Sequence, residues 1–246
     1  MTQLLAPPTT TPDSLDATLY RQGHAALSPA GLCELCGVEA SAFDAWLPSW
    51  DRLPPDAYLK DGGRYRRRRH GSFVVERGEL VQVPHRAHWQ PVSYNALHGG
   101  LERWFEPLEA SLVADPAWAR LLLSLAAACS RRKGEQPWYV EAHQFRIDTT
   151  DGIGRPTPEG AHRDGVDFVA VILAAREGVK GGETRVFEAD GPSGLRFTLT
   201  QPWTTLLLDD QRVIHETTPI QPAAEGGHRD TLVLTFRAHG FQDPQR

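Results

Sequence analysis

The sequence predicts an α+β fold in which a mostly helical N-terminal half packs on a β sandwich formed by the C-terminal half. Three observations carry this. Apolar residues recur at helical spacing before Gly134, most clearly over residues 116–132. After Gly134 the chain breaks into short β-branched and aromatic runs divided by Gly, Pro and Asp turns, the texture of a sandwich or barrel. No internal repeat or linker interrupts the chain after residue 13, so the 246 residues read as one domain, helical and mixed over 14–135 and β over 136–240.

Each element has a local cause. Residues 1–13, with Pro7-Pro8-Thr9-Thr10-Thr11-Pro12, read as a disordered lead-in. A first helix is expected over 14–26 from Leu15, Leu19 and Tyr20. A second follows from Ser28 as cap with Pro29 at its first position, ending at Gly37. A third, over 40–47, places Phe43 and Trp46 on one face and stops before Pro48. Phe73-Val74-Val75 and residues 79–83 flank Arg77-Gly78 as a hairpin, and the His- and Pro-rich 84–94 reads as loop. In 116–132, Trp118, Leu121, Leu122, Leu125 and Cys129 share a helical stripe, with basic residues and Gly134 at the C-terminal end. The β half offers strands at 139–147, 168–173, 184–187, 195–199, 204–208, 212–216 and 231–236; Gly181-Gly182 and Asp190-Gly191-Pro192 are the strongest turn marks between them.

Composition narrows the function. A hydrophobic fraction of 40% with 23% charged residues is that of an ordinary globular protein. The net charge of −5 gives no global attraction to nucleic acid or an anionic membrane, and no apolar run approaches the roughly 20 residues that span a bilayer. No basic segment followed by an apolar core opens the chain, and three cysteines make no disulfide framework, so a reducing cytoplasm is the expected location. The sequence carries no sign of oligomeric state.

Two histidines and an aspartate carry the chemistry. His162 and Asp164 flank Arg163, and His215 follows 51 residues after Asp164. Two imidazoles and one carboxylate suit divalent iron, occupying one face of the ion and leaving the other open. If the triplet lies on a strand, residues i and i+2 share a face and converge on one ion, and His215 would come from a second strand. An H-x-D triplet is common; its β setting sets this one apart. Downstream, Arg229 lies 14 residues after His215 and offers a planar fork of donors that matches a carboxylate, with the Thr231 hydroxyl on the same face. Arg237 is a reserve candidate.

The H-x-D, distant H and following R resemble the iron(II)- and 2-oxoglutarate-dependent dioxygenases, and more narrowly the bacterial isoleucine and leucine hydroxylases. The matching segments are residues 64–73, 90–108 (QPVSYNALHGGLERWFEPL), 162–173 and 204–236. The resemblance implies a double-stranded β-helix, or jelly-roll, core. It implies that His162, Asp164 and His215 bind Fe(II), and that Arg229 with Thr231 binds 2-oxoglutarate. The implied reaction consumes O2 and hydroxylates an unactivated C–H bond of a free or lightly modified L-amino acid, releasing succinate and CO2. Related halogenases replace the carboxylate ligand with a small residue; Asp164 keeps it, which favours hydroxylation, although desaturation or cyclisation uses the same ligands. The rivals are a cupin-like metal enzyme that does not use 2-oxoglutarate, which would have no need of Arg229, and a non-catalytic sugar- or nucleotide-binding jelly roll.

Other features admit two readings each. Arg66-Arg67-Arg68-Arg69 with His70 has the density of a phosphate-binding run but no aromatic platform, and strand alternation would send Arg66 and Arg68 to one face. That face is either solvated or, with Arg68, points into a substrate pocket. Gln144 and Arg146 either line the same pocket, with His143 facing away, or lie in solvent. Cys33-Glu34-Leu35-Cys36 lacks the remaining ligands of a zinc site and reads as ordinary helix. Asp167, three residues from Asp164, would fall on the wrong face of a regular strand to join the ligands. The expected partner is a small molecule, with no nucleic acid and no membrane.

Overall fold

The computed structural model describes residues 4–95, 97 and 99–244. The N-terminal half runs β1 (Thr9–Thr10), α1 (Leu15–Gln22), β2 (His24–Leu27), α2 (Pro29–Cys36), α3 (Ala40–Asp44), a 3-10 helix at Leu47–Arg52, β3 (Arg66–Glu76), β4 (Glu79–Gln82), α4 (Ala110–Val113) and α5 (Pro116–Lys133). The C-terminal half is β5 (Trp138–Asp148), β6 (Phe168–Glu177), β7 (Val179–Gly181), β8 (Thr184–Glu188), β9 (Gly194–Phe197), β10 (Thr205–Asp209), β11 (Val213–Thr217), β12 (Ile220–Pro222) and β13 (His228–Arg237).

Helix ends follow the sequence. Ser28 Oγ accepts from the Gly31 amide and Gly37, at φ 62°, closes α2. Asp115 caps α5 through the Ala117 amide, with Pro116 in the first turn. The first helix stops at Gln22, four residues short of expectation, because 24–27 pair with β10 as a strand. The third ends at Asp44, and the chain continues through Leu47–Arg52 as a 3-10 helix. Of the expected disordered lead-in, 1–3 lie outside the described residues. Thr9–Thr10 instead pair in parallel with Ala26 and Leu27, and Leu5 O accepts from the Thr198 amide.

The jelly-roll-like frame is an eight-stranded sheet in the order β1-β2-β10-β6-β13-β5-β3-β4, facing a three-stranded sheet β11-β8-β9 and the pair β12-β7. Apart from β1 and β2, the paired strands are antiparallel. Side-chain alternation gives the large sheet two distinct faces. Phe168, Ala170 and Ile172 on β6, with Leu232, Leu234 and Phe236 on β13, pack under α1, α2 and α5. Val169 and Leu173 on β6 point the other way, against Val186, Phe197 and Val213 of the small sheet. Toward β5 and β3 the second face lines a cavity.

On the helix face an aromatic group ties the N-terminal segments to the sheet. Trp203, at φ 67°, packs tilted against Phe43 and edge-to-face against Trp46 and Trp50, and donates its indole N–H to Asp44 Oδ1 at 2.7 Å. Three cysteines are free, Cys33 and Cys36 lying on α2 as ordinary residues. Among the described residues no helix is long and apolar enough to cross a membrane.

Candidate active site

The three sequence-predicted metal ligands meet at the cavity mouth, although the triplet is not on a regular strand. His162 forms an isolated antiparallel bridge with His215, each amide bonding the other's carbonyl at 3.0 and 2.9 Å. Asp164 stands in the loop beyond. That loop is shaped by Asp210, whose carboxylate accepts the amides of Asp164, Gly165 and Val166 at 3.0, 2.8 and 3.1 Å. Gly165 has φ 73°, and a Cβ there would come within 2.4 Å of the Tyr94 ring, so only glycine fits. Strand alternation is therefore replaced as the cause of convergence by one bridge and one carboxylate that gathers three amides.

The ligating atoms of His162, Asp164 and His215 lie within 4.8 Å of one another. His162 Nε2 is 3.9 Å from Asp164 Oδ1, and His215 Nε2 is 3.7 Å from Asp164 Oδ2. His162 Nδ1 sits 2.9 Å from the Gly160 carbonyl, which fixes the proton on Nδ1 and leaves the Nε2 lone pair free. Burial lowers the pKa of His162, but the Asp164 and Glu159 carboxylates outweigh it and raise the value above the ordinary one. Burial, then His162, pushes His215 down to about 4. Burial and Asp164 push Asp210 up to about 7 against its three amide donors. Two imidazoles and a carboxylate with their ligating atoms clustered fit Fe(II), which would take both imidazoles in the neutral form.

Deeper in the cavity, Arg229 and Thr231 of β13 are 3% exposed each. Burial, then Arg176, lowers Arg229 to about 10, still cationic at neutral pH. Its Nε and Nη2 have no partner among the described residues, an open donor fork suited to a carboxylate. Expected reserve Arg237 instead bonds the Gly240 and Phe241 carbonyls.

Of the substrate-facing candidates, Arg68 lines the cavity and Gln144 and Arg146 do not. Their parity on β5 puts them on the helix face, where Gln144 donates to Ser49 Oγ and Arg146 pairs with Asp230 and Asp51. The alternate residues His143, Phe145 and Ile147 face the cavity. Both faces of β5 are covered, so polarity gave no phase. Arg66 and Arg68 do share the cavity face, as alternation required, while Asp167 is engaged by Lys133 and the Ala238 amide.

Sequence reading missed a second group, His70, His88, Glu141 and His143, whose ligating atoms also lie within 4.8 Å of one another. Hydrogen bonds engage all four of its side chains. His70 and His88 donate to the two Glu141 oxygens at 3.2 and 3.1 Å. Arg68 Nη2 lies 2.7 Å from His143 Nδ1; arginine can only donate, so Nδ1 accepts and the proton of neutral His143 sits on Nε2, which then has no lone pair for a metal. Burial lowers all three histidines, His88 to about 4, and the group is a hydrogen-bonded brace behind Arg68.

With this geometry in place, comparison decides the family. A family model described as 2OG-Fe dioxygenase matches residues 47–235. The chain belongs to the 2OG-Fe dioxygenase family. It is a 2-oxoglutarate-dependent dioxygenase that uses Fe(II), 2-oxoglutarate and O2. Among solved structures, a bsmA homolog of Methylobium petroleophilum PM1 is 54% identical over 100% of both chains, with a TM-score of 0.92. IDO from Bacillus thuringiensis shares the fold at 16% identity and TM-score 0.76, covering 97% of this chain and all of its own. The Fe(II)/α-ketoglutarate-dependent dioxygenase TqaL shares it at 19% identity and TM-score 0.70, over 92% and 86% of the two chains. No curated protein gives a significant match.

Proposed function

We propose that His162, Asp164 and His215 hold the Fe(II), that Arg229 with Thr231 holds the distal carboxylate of 2-oxoglutarate, and that the enzyme hydroxylates a C–H bond of a free or lightly modified L-amino acid. The observation that carries the reading is one cavity lined both by the three metal-type side chains and by an arginine with unpartnered buried donors. Iron, 2-oxoglutarate and O2 supply the oxidant when bound, with succinate and CO2 as co-products. The protein's share is placement. Gly160 and Asp210 hold the ligands in position, Arg229 orients the keto acid, and the walls formed by Phe145, Ile147 and Val171 keep the reacting region poor in water.

Arg229 gives the test. Binding of 2-oxoglutarate to the Mn(II)-loaded protein without oxygen is expected to weaken on the order of 100-fold in Arg229→Ala, and less in Arg229→Lys, which keeps charge but loses the fork. Unchanged affinity in Arg229→Ala would discard the assignment. The substrate class is tested separately by a panel of L-amino acids with Fe(II), 2-oxoglutarate and ascorbate, scored by mass gain of one oxygen. If 2-oxoglutarate is consumed and no amino acid gains oxygen, the amino-acid reading fails.

A further inference from the structure

The cavity carries more positive charge than its cofactors use. Arg66, Arg68, Arg103 and Arg229 line it against two carboxylates, Glu159 and Asp164. Fe(II), dianionic 2-oxoglutarate, Asp164 and Arg229 together sum to zero. Behind the wall, Asp56 takes Arg66 at 2.7 Å, and Glu141 is taken by His70 and His88 with Arg86 at 3.8 Å. Arg68 and Arg103 remain without a close carboxylate of their own, the nearest ion pair being Arg68 with Asp56 at 3.9 Å, while the Glu141 and Glu159 charges stand farther off.

Arg103 is 2% exposed and has no carboxylate within ion-pair distance among the described residues; its Nη2 donates to Gln90 Oε1 at 3.0 Å, and its Nε has no partner. Arg68 is 3% exposed, lies 3.7 Å from the Phe105 ring centroid and 4.4 Å from that of Phe145, and reaches Asp56 only at 3.9 Å; its Nε also has no partner. Each guanidinium has five N–H donors and no acceptor, so two buried guanidiniums with so few bonds carry a desolvation cost that an added anion would relieve better than a neutral acceptor. The brace of His70, His88, Glu141 and His143 holds Arg68 in this orientation and, being neutral at its histidines, adds no competing cation. Gln90 bonds both Arg103 and Asp164 Oδ1, the latter at 3.2 Å, which fixes Arg103 relative to a metal ligand.

We propose that Arg68 and Arg103 form a receptor for a carboxylate of the substrate. This rests on the oxygenase reading above and deepens it. The acid group is docked at a place tied through Gln90 to the metal ligand Asp164, so a C–H bond a set number of bonds from the carboxylate is presented to the iron. Glu159, whose Oε2 is buried without a partner, is the remaining acid of the wall and disfavours a second negative charge on the substrate nearby.

The test compares binding of 4-methylpentanoate and 4-methylpentanamide to the full chain loaded with Mn(II) and saturating 2-oxoglutarate, without oxygen, by calorimetry. The wild type is expected to bind the acid at least about 10-fold more tightly than the amide. Arg103→Met should bring the acid to the level of the amide, Arg103→Lys should fall between, and the affinity for 2-oxoglutarate should stay within about 2-fold in both. Equal binding of acid and amide by the wild type, no binding of the acid, or unchanged acid binding in Arg103→Met overturns the proposal. The wild-type comparison decides even if Arg103→Met does not fold. Failure of 2-oxoglutarate to bind the wild type counts against the Arg229 assignment instead, and the acid and amide still differ or not on their own terms.

Discussion

At the scale of single residues, Asp210 shapes the loop that carries one of the proposed ligands. Its carboxylate gathers three consecutive amides and so sets the loop from which Asp164 projects. Asp210→Ala leaves the ligands in the sequence but frees the loop. Its affinity for Co(II), followed by visible absorption, is expected to drop 10- to 100-fold, with Asp210→Asn less affected because it keeps one acceptor. An unchanged titration would show that the bridge between His162 and His215 suffices alone. The clustering of His162, Asp164 and His215 could be anticipated from the sequence because few residue types can serve iron, and Arg229 was singled out because its distance from His215 matches a family pattern. Arg103 was not legible. Its role comes from burial beside Gln90 and from a shortage of carboxylates around it, and neither leaves a local pattern. Gln144 and Arg146 were chosen for polarity, but pairing partners, not polarity, set which way they face.

At the scale of elements, α5 and the long strands followed from periodicity and caps, while β1, β2, β7 and β12 did not. β2 is four residues, His-Ala-Ala-Leu, entered directly from the Gly23 end of α1, and only its pairing to β10 makes it a strand. The same dependence on distant partners governs the turn at Trp203. A large residue holds a left-handed backbone there because its ring is buried among Phe43, Trp46 and Trp50. Trp203→Ala removes that packing and the bond to Asp44. Urea denaturation is expected to show a loss of about 3–5 kcal/mol. A loss below about 1 kcal/mol would mean the helices are held to the sheet by other contacts.

At the scale of the whole molecule, one face of the large sheet is an apolar core and the other is a cavity rich in buried histidine. His70, His88 and His143 are neutral when folded because burial depresses their pKa, His88 to about 4, while unfolded histidine titrates near 6.5. The unfolded chain therefore binds more protons below pH 6.5, and stability falls as the pH drops from 6.5 toward 4. His88 contributes a slope approaching about 1.4 kcal/mol per pH unit in that window, and His70 and His143 act in the same direction. Glu141, held below the usual carboxylate range by His88 and His70 against its burial, adds a further loss only in stronger acid. With metal bound, urea midpoints measured from pH 7.5 to 4.5 are expected to be level above 6.5 and to decline below it. A flat profile would mean that these histidines are already charged in the folded protein.

The placement of the parts along the chain has an evolutionary consequence. The proposed iron ligands hang on the 160s loop and on β11, joined by the bridge between His162 and His215, whereas the arginines proposed for the substrate come from β3 and the loop after β4. These stretches are far apart in sequence and meet across Gln90 and Asp164. A descendant can therefore change Arg68 and Arg103 to accept a different acid while Gln90 and the proposed iron ligands stay in place. Drift in substrate choice requires no redesign of the chemistry.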